Sequence, residues 1–182
     1  MKKVCVFLAD GFEEIEGLTV VDLLRRAEIE TTMVSITGKL EVTSAHQIKV
    51  IADVLFDEYT YHDVDMLVLP GGMPGTINLG GHEGLVSLIK DFNDKDKYLA
   101  AICAAPSVLG ENGILNGRRV TSYPGFENKL IGANYTGNKV EIASNVITSK
   151  GMGTSIDFAL SIISLLKDDE TANKIGKAIQ YI

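Results

Sequence analysis

The sequence predicts an α/β fold: a mainly parallel β-sheet covered by helices on both faces. Two patterns carry this reading. Short, nearly unbroken apolar runs such as Lys3–Ala9 (KVCVFLA) and Asp65–Leu69 (DMLVL) recur along the chain and read as strands buried on both faces. Longer segments with apolar residues at helical spacing lie between them, and strands alternating with helices imply parallel pairing. The 182 residues show no repeat, linker or low-complexity tract. They are therefore expected to form one domain over residues 1–182, long enough to bury about 70% of the unfolded surface.

Each element follows from its own residues. Asp10-Gly11-Phe12 breaks the first strand, and Glu13–Ala27 then reads as a helix with Leu18, Val21, Leu23 and Leu24 as its apolar stripe. Thr31–Ile36 is the second strand. Gly38-Lys39 turns the chain into the more alternating stretch Leu40–Val54, expected to be a short antiparallel excursion. Asp65–Leu69 is stopped by Pro70-Gly71-Gly72, and His82–Phe92 follows as an amphipathic helix with Leu85, Leu88, Ile89 and Phe92 inward. Tyr98–Ile102 (YLAAI) is again a strand, with a helix over Ala104–Gly110 directly after Cys103. Arg119–Ser122, Lys139–Ile142 and Val146–Thr148 read as weaker strands, Ser155–Leu166 as a strongly apolar helix and Asp169–Ile179 as a closing helix with a more polar surface.

Composition excludes several function classes. Lys+Arg 17 against Asp+Glu 24 gives a net charge of −7, which argues against nucleic-acid binding. Hydrophobic content of 46% with 23% charged residues excludes a mainly disordered chain. No apolar run approaches the ~20 residues of a membrane span, and Met1-Lys2-Lys3 leads into a strand rather than a signal peptide. Two cysteines, Cys5 and Cys103, are too few for a disulfide framework or a Cys-based zinc site. The expectation is a soluble, cytoplasmic protein of a reducing compartment, with no metal, cofactor, nucleic acid or membrane partner.

In a parallel sheet ligands gather outside the carboxyl ends of the strands, and three such ends carry unusual residues: Asp10-Gly11-Phe12-Glu13-Glu14-Ile15-Glu16, Pro70-Gly71-Gly72-Met73-Pro74-Gly75, and Ala100-Ala101-Ile102-Cys103-Ala104-Ala105-Pro106. Cys103 stands where a strand turns sharply into a helix, a place that lifts a nucleophile clear of the backbone when its neighbours are small. The following helix N-terminus favours thiolate. The alternative for Cys103 is a small buried hydrophobe, which is the reading given to Cys5. Glu13 and Glu14 are read as acids complementing a helix dipole. Glu16, next to Gly17, is either a third such acid or a buried carboxyl that donates to the Cys103 thiolate and shuttles protons. Pro70-Gly71-Gly72 offers free amides for an oxyanion or is an ordinary turn. Gly151-Met152-Gly153-Thr154-Ser155 is a weak anion-loop pattern in which Thr154 or Ser155 serves as a cap. His62 and His82 read as surface or capping residues. His46 reads the same way unless the excursion folds over the crevice.

These motifs together resemble the DJ/ThiJ/PfpI superfamily, in the branch of the Parkinson-disease protein and its bacterial relatives. The resemblance runs from Lys3 to about Leu166 and rests on Gly11–Glu16, Leu69–Gly72, Ala100–Pro106 and Thr148–Leu160. It implies a flavodoxin-like sandwich, usually a homodimer, with a nucleophile-elbow cysteine. Cys103 is then the reactive thiol, Glu16 its protonated partner, and the Gly72 and Ala104 amides the anion pocket. Gly71, Tyr123 and His46 would line that pocket. Tyr123, within Thr121-Ser122-Tyr123-Pro124, stands where human-like members have a histidine, and His46 stands where the related pocket has an arginine near the dimer seam. The tyrosine removes a Cys–His pair, and with it the basis for peptidase activity or efficient glyoxalase turnover. Superfamily glutamine amidotransferases are excluded, because they need a glycine-flanked Cys and a later His-x-Glu. The function implied is that of a cofactor-independent thiol enzyme of glyoxalase or deglycase type, acting on reactive carbonyls or glycated amines. The rival is an oxidative-stress sensor or redox-regulated chaperone.

Overall fold

The computed structural model describes residues 1–182. In chain order the elements are β1 (Lys3–Leu8), α1 (Glu14–Arg26), β2 (Glu30–Ser35), β3 (Glu41–Thr43), β4 (Lys49–Ile51), β5 (Val54–Leu55) and β6 (Met66–Leu69). They continue with α2 (Gly75–Gly81), α3 (Glu83–Asp94), β7 (Tyr98–Ile102), α4 (Pro106–Glu111), β8 (Arg119–Val120) and β9 (Asn134–Tyr135). The chain closes with β10 (Val140–Ala143), β11 (Val146–Ser149), α5 (Ser155–Leu166) and α6 (Asp169–Ala178). Alternate side chains of β1 feed two separate cores. Val4, Val6 and Leu8 pack with α1, α5 and α6 through residues such as Val20, Leu24, Phe158, Ile162 and Ile175. Cys5 and Phe7 face the opposite layer, where Leu79, Leu85, Ile89, Phe92 and Leu109 close the core. A sheet with both faces covered is what the unbroken apolar runs require.

The seven-stranded sheet has the order β10-β11-β7-β6-β1-β2-β5. Every pairing is parallel except β10 with β11. From β1 the chain goes to β2 on one side and later returns to β6 on the other. The topological switch point, where an open α/β sheet forms its crevice, thus lies between β1 and β6. With β7 next to β6, the three strand ends singled out in the sequence are neighbours. The excursion forms an antiparallel β3–β4 hairpin outside this sheet, as expected.

Several elements differ from expectation. Helix α2 was not foreseen, because Gly75, Gly80 and Gly81 make its sequence a poor helix former. Tertiary contacts hold it: Gly75 N–H donates to Gly11 O at 3.1 Å, and Leu79 is fully buried. The strand expected over Arg119–Ser122 is only Arg119–Val120, paired with Asn134–Tyr135 in a small parallel sheet of its own. Thr121 leaves that ladder because its N–H donates to the Thr148 hydroxyl at 2.9 Å. The short edge strand β5 and the 3₁₀ turn Phe56–Glu58 were likewise not anticipated.

Helix α4, which follows Cys103, is anchored by a close backbone approach. A Cβ on Gly110 would strike the Lys129 carbonyl oxygen and lie 2.8 Å from Leu130 Cα. Gly→Ala inside a helix ordinarily gains up to ~1 kcal/mol, but overlap with rigid backbone costs about 1–3 kcal/mol. Gly110→Ala is therefore expected to lower the urea midpoint, and a midpoint equal to or above the parent's would show that the Glu127–Lys129 turn yields freely.

Candidate active site

Cys103 follows directly on β7 and adopts φ +65°, a left-handed conformation that a residue with a Cβ rarely takes. Such a residue stores roughly 1–3 kcal/mol and persists only when its surroundings hold it. Here its N–H donates to Ser149 O at 2.9 Å, and its carbonyl accepts from Tyr123 N at 2.8 Å. The turn tips the half-buried sulfur toward the crevice, where the Ala104 and Gly72 amides favour its charged form. The strained elbow expected from the sequence is present.

Glu16 lies in the first turn of α1 and is only 1% exposed. Its Oε2 accepts the Gly71 N–H at 2.8 Å, while Oε1 is buried with no hydrogen-bond partner. Gly71 makes this meeting sterically feasible. A Cβ there would sit 2.7 Å from Cys103 Cβ, 2.8 Å from Glu16 Oε2 and 3.1 Å from Ala104 N. Of the two readings open for Glu16, the buried carboxyl facing the cysteine is the one the geometry gives. Gly17 serves a neighbouring need, since its bare Cα lets the buried Phe12 ring pack closely.

Electrostatics couple the two groups. Burial pushes the Glu16 carboxyl up to about 7; bonds from Cys103 and the Gly71 N–H oppose the rise, and the Glu13 charge adds to it. Burial and the Glu16 carboxylate push the Cys103 thiol up to about 12, against the pull of the Ala104 and Gly72 amides. Burial and the carboxylate both work against the resting thiolate expected from the sequence, while the two amides work for it. Helix α4 has only six residues, so its N-terminus offers little to offset desolvation. Each group is among the causes of the other's shift, so they titrate as a pair, passing between two protons and one around neutrality.

The other expected residues fall in different places. Tyr123 is 52% exposed and packs its ring against Gly151. With Pro124, Lys150, Met152 and Thr154 it lines a groove of about 380 Å³ that does not include the Cys103 sulfur. Neither Thr154 nor Ser155 caps α5 with its side chain: Thr154 Oγ1 accepts from Gly151 N at 3.2 Å, and Ser155 Oγ donates to Met152 O at 2.7 Å. His82 does cap, its Nδ1 accepting from Leu85 N at 3.0 Å. His46 touches neither Cys103 nor Glu16. Its Nδ1 lies 2.9 Å from Glu14 Oε1 and 3.7 Å from Glu13 Oε2. Glu14 is thus more than a helix-start acid, being buried beneath the excursion rather than solvated. Burial raises its carboxyl, but a backbone N–H, His46 and Ser44 together hold it below the usual range. The His46–Glu14 pair was not legible, because their contact depends on how the β3–β4 hairpin docks.

A strained cysteine elbow, a buried glutamic acid and two converging amides at the switch point define an α/β protein of the cysteine-elbow class. The DJ-1/PfpI family model matches residues 2–165, and the chain belongs to that family. The Parkinson disease protein 7 homolog of Danio rerio is 36% identical over 178 residues, covering 96% of this chain and 94% of that protein. Protein DJ-1 homolog B of Arabidopsis thaliana is 35% identical over 177 residues, covering 97% of this chain but 40% of its own length. The chain accordingly spans less than half of the Arabidopsis homologs A and B. Among solved structures, a DJ-1 superfamily protein from Salmonella typhimurium superposes with a TM-score of 0.95 at 33% identity, with all of both chains covered. Drosophila melanogaster DJ-1beta gives 0.95 at 33% identity, covering 100% of this chain and 98% of its own.

Two outcomes follow from this site. Cys5 is fully buried in the second core, with its thiol pushed up to about 12 by burial. Mild peroxide followed by peptide mass spectrometry should therefore find oxidation at Cys103 well ahead of Cys5, and the reverse order would contradict the assignment. The second concerns stability. Because the Glu16 pKa is raised from 4.5 to about 7, the folded chain binds the extra proton within that window and loses stability as pH rises through it. Glu16→Gln should thus be more stable than the parent at pH 8, by up to about 3 kcal/mol, with the advantage shrinking toward pH 5. Thermal melts at the two pH values test this, and a gain independent of pH would mean the carboxyl is not held neutral by the fold.

Proposed function

We propose that the chain is a thiol enzyme acting on small reactive carbonyls, or on their early adducts with amines, with Cys103 as nucleophile and Glu16 as the proton carrier. One observation carries the reading: sulfur, carboxyl and the Gly72 and Ala104 amides converge on one point beneath the strained elbow. In the one-proton form of the pair, Glu16 accepts the thiol proton as sulfur bonds to an aldehyde carbon, giving a hemithioacetal. The two amides receive the developing oxyanion, to which Glu16 then passes the thiol proton, so that its carboxylate is free again. With methylglyoxal, Glu16 would then take the proton from the former aldehyde carbon and return it to the neighbouring carbon, leaving a lactoyl thioester. Water cleaves that thioester to lactate and restores the thiol. The chemistry uses the chain's own residues and asks for no cofactor.

A second reading, a redox sensor or chaperone, draws on the same pocket, because the two amides that would hold an oxyanion suit the oxygens of a sulfinate. A related structure, that of Toxoplasma gondii DJ-1, is of an oxidized form. We further propose a homodimer. The hairpin and the first helix leave Ile15, Leu40, Ile48 and Ile51 between 42% and 61% exposed on one side of the chain, a surface that a second copy would cover.

Lactate formation from methylglyoxal separates the two readings. Cys103→Ser and Glu16→Gln should each lower kcat/KM by about 100-fold or more. The parent's kcat/KM should fall below about pH 7, as protonation of Glu16 removes the base. Tyr123→Phe should cost less than about tenfold, since a phenol of ordinary pKa near 10 cannot serve as the base at neutral pH. Lactate no faster than in Cys103→Ser would rule out the enzyme, leaving the sensor. A loss in Tyr123→Phe matching that of Cys103→Ser would make the phenol the acid/base and overturn the role given to Glu16.

A further inference from the structure

Three hydrogen bonds lead back from the elbow to one cavity. Ser107 Oγ donates to Ala104 O at 2.7 Å. Thr76 N–H donates to Gly72 O and Tyr123 N–H to Cys103 O, both at 2.8 Å. The residues so held are the elbow cysteine and the two whose amides favour its charged form. Ser107 belongs to α4 and Thr76 to α2, while Tyr123 opens the loop that runs through Phe126 into the Glu127–Lys129 turn. Those three segments wall a cavity of about 220 Å³, with Met73, Thr76, Ile77, Ser107, Val108 and Phe126 in its lining. Leu79 and Val108 place α2 and α4 in the second core, whereas α1 and the hairpin pack in the first. A second copy covering Ile15, Leu40, Ile48 and Ile51 therefore leaves this cavity open.

The lining suits a small neutral ring that carries a hydroxyl. Met73, Ile77, Val108 and Phe126 supply apolar walls, and Met73 and Ile77 are 48% and 60% exposed, so their apolar surface stays wet until something covers it. Glu111 and Lys129 border the cavity too, but at 3.1 Å they answer each other and leave no net charge to attract an ion. Thr76 is an independent sign of a ligand. It is only 4% exposed, and its Oγ1 is buried without a hydrogen-bond partner. A hydroxyl left so is costly. Threonine adopts either of two χ1 rotamers in a helix, so this one turns to meet a ligand without moving backbone. Ser107 has spent its proton on Ala104 O, which leaves its lone pairs for a donor. As for size, a cavity of about 150 Å³ accepts benzene, and the larger volume here has room for a ring with substituents.

We infer that this cavity binds a small neutral aromatic alcohol of the phenol type, and that its occupancy is felt at Cys103. The ring packs on Ile77, Val108 and Phe126, and its hydroxyl pairs with Thr76 Oγ1. A ligand that fits the three walls as they stand favours the arrangement holding both amides on the sulfur, and so makes the thiol more reactive. The inference holds whatever Cys103 reacts with, so it stands apart from the carbonyl chemistry.

Fluorine NMR titration of the full chain with 4-fluorophenol tests the site, repeated on Thr76→Val, Gly80→Leu and Cys103→Ser. The parent and Cys103→Ser should bind one molecule per chain with equal affinity. Thr76→Val keeps the shape but lacks the hydroxyl, and should bind about fivefold more weakly or worse. Gly80 also lines the cavity, and outside its own helix a Cβ there meets only Val108 Cγ2, at 3.5 Å. Gly80→Leu thus fills the space without striking backbone and should abolish binding, with thermal melts verifying that it folds. Iodoacetamide labelling of Cys103, read by mass spectrometry, should run roughly twofold faster or more with the probe present in the parent, and unchanged in Gly80→Leu. No binding by the parent overturns the proposal, as does parent-like affinity in Thr76→Val or Gly80→Leu, or loss of binding in Cys103→Ser. An unchanged labelling rate with the cavity filled overturns the link to Cys103.

Discussion

Cys103, Glu16 and Ala104 meet at one point only because Gly71 carries no side chain. The end of β6 passes between the first turn of α1 and the elbow after β7, at distances no Cβ tolerates. That crossing fixes how β1, β6 and β7 present their ends. It also sets the Gly71 amide on Glu16 and the next amide on the sulfur. The parallel sheet supplies the crevice; the missing methyl group decides that three strands' worth of chemistry shares it.

Burial then sets the character of the pair. Water is excluded from a carboxyl and a thiol at once, and both are raised by that exclusion before they act on each other. A fold selected for stability alone would place apolar groups there. Holding an acid near neutrality inside a core, beside a residue in left-handed backbone, sacrifices folding free energy for a proton that moves easily.

Most of the sheet was legible, because strands buried on both faces leave unbroken apolar runs such as KVCVFLA and YLAAI that permit few other structures. The elbow was legible because a strand runs through Cys103 straight into a helix, with four alanines around the cysteine leaving room for its side chain. What was not legible depended on partners distant in sequence. Helix α2 forms against the propensity of its glycines because the Gly11 carbonyl receives the Gly75 amide and Leu79 is buried. Thr121 leaves a strand because a threonine 27 residues away takes its N–H. Glu14 looked like a solvated helix-start acid until the hairpin laid His46 over it. The helix reading left out two opposing effects, desolvation of the sulfur and the neighbouring carboxylate, which depend on how α1 packs against the elbow.

The division of the interior into two cores has a consequence for repair. Cys5 faces the layer closed by α3 and α4, fully buried, whereas Cys103 packs against the other layer. A sulfenic acid formed at Cys103 thus has no second thiol of its own chain to condense with. Its return to the reduced state is bimolecular, at a rate set by whatever dissolved thiol reaches the crevice. Where oxidant outpaces that supply, the sulfur goes on to the sulfinate, so the thiol pool around the molecule decides whether the modification is transient or lasting.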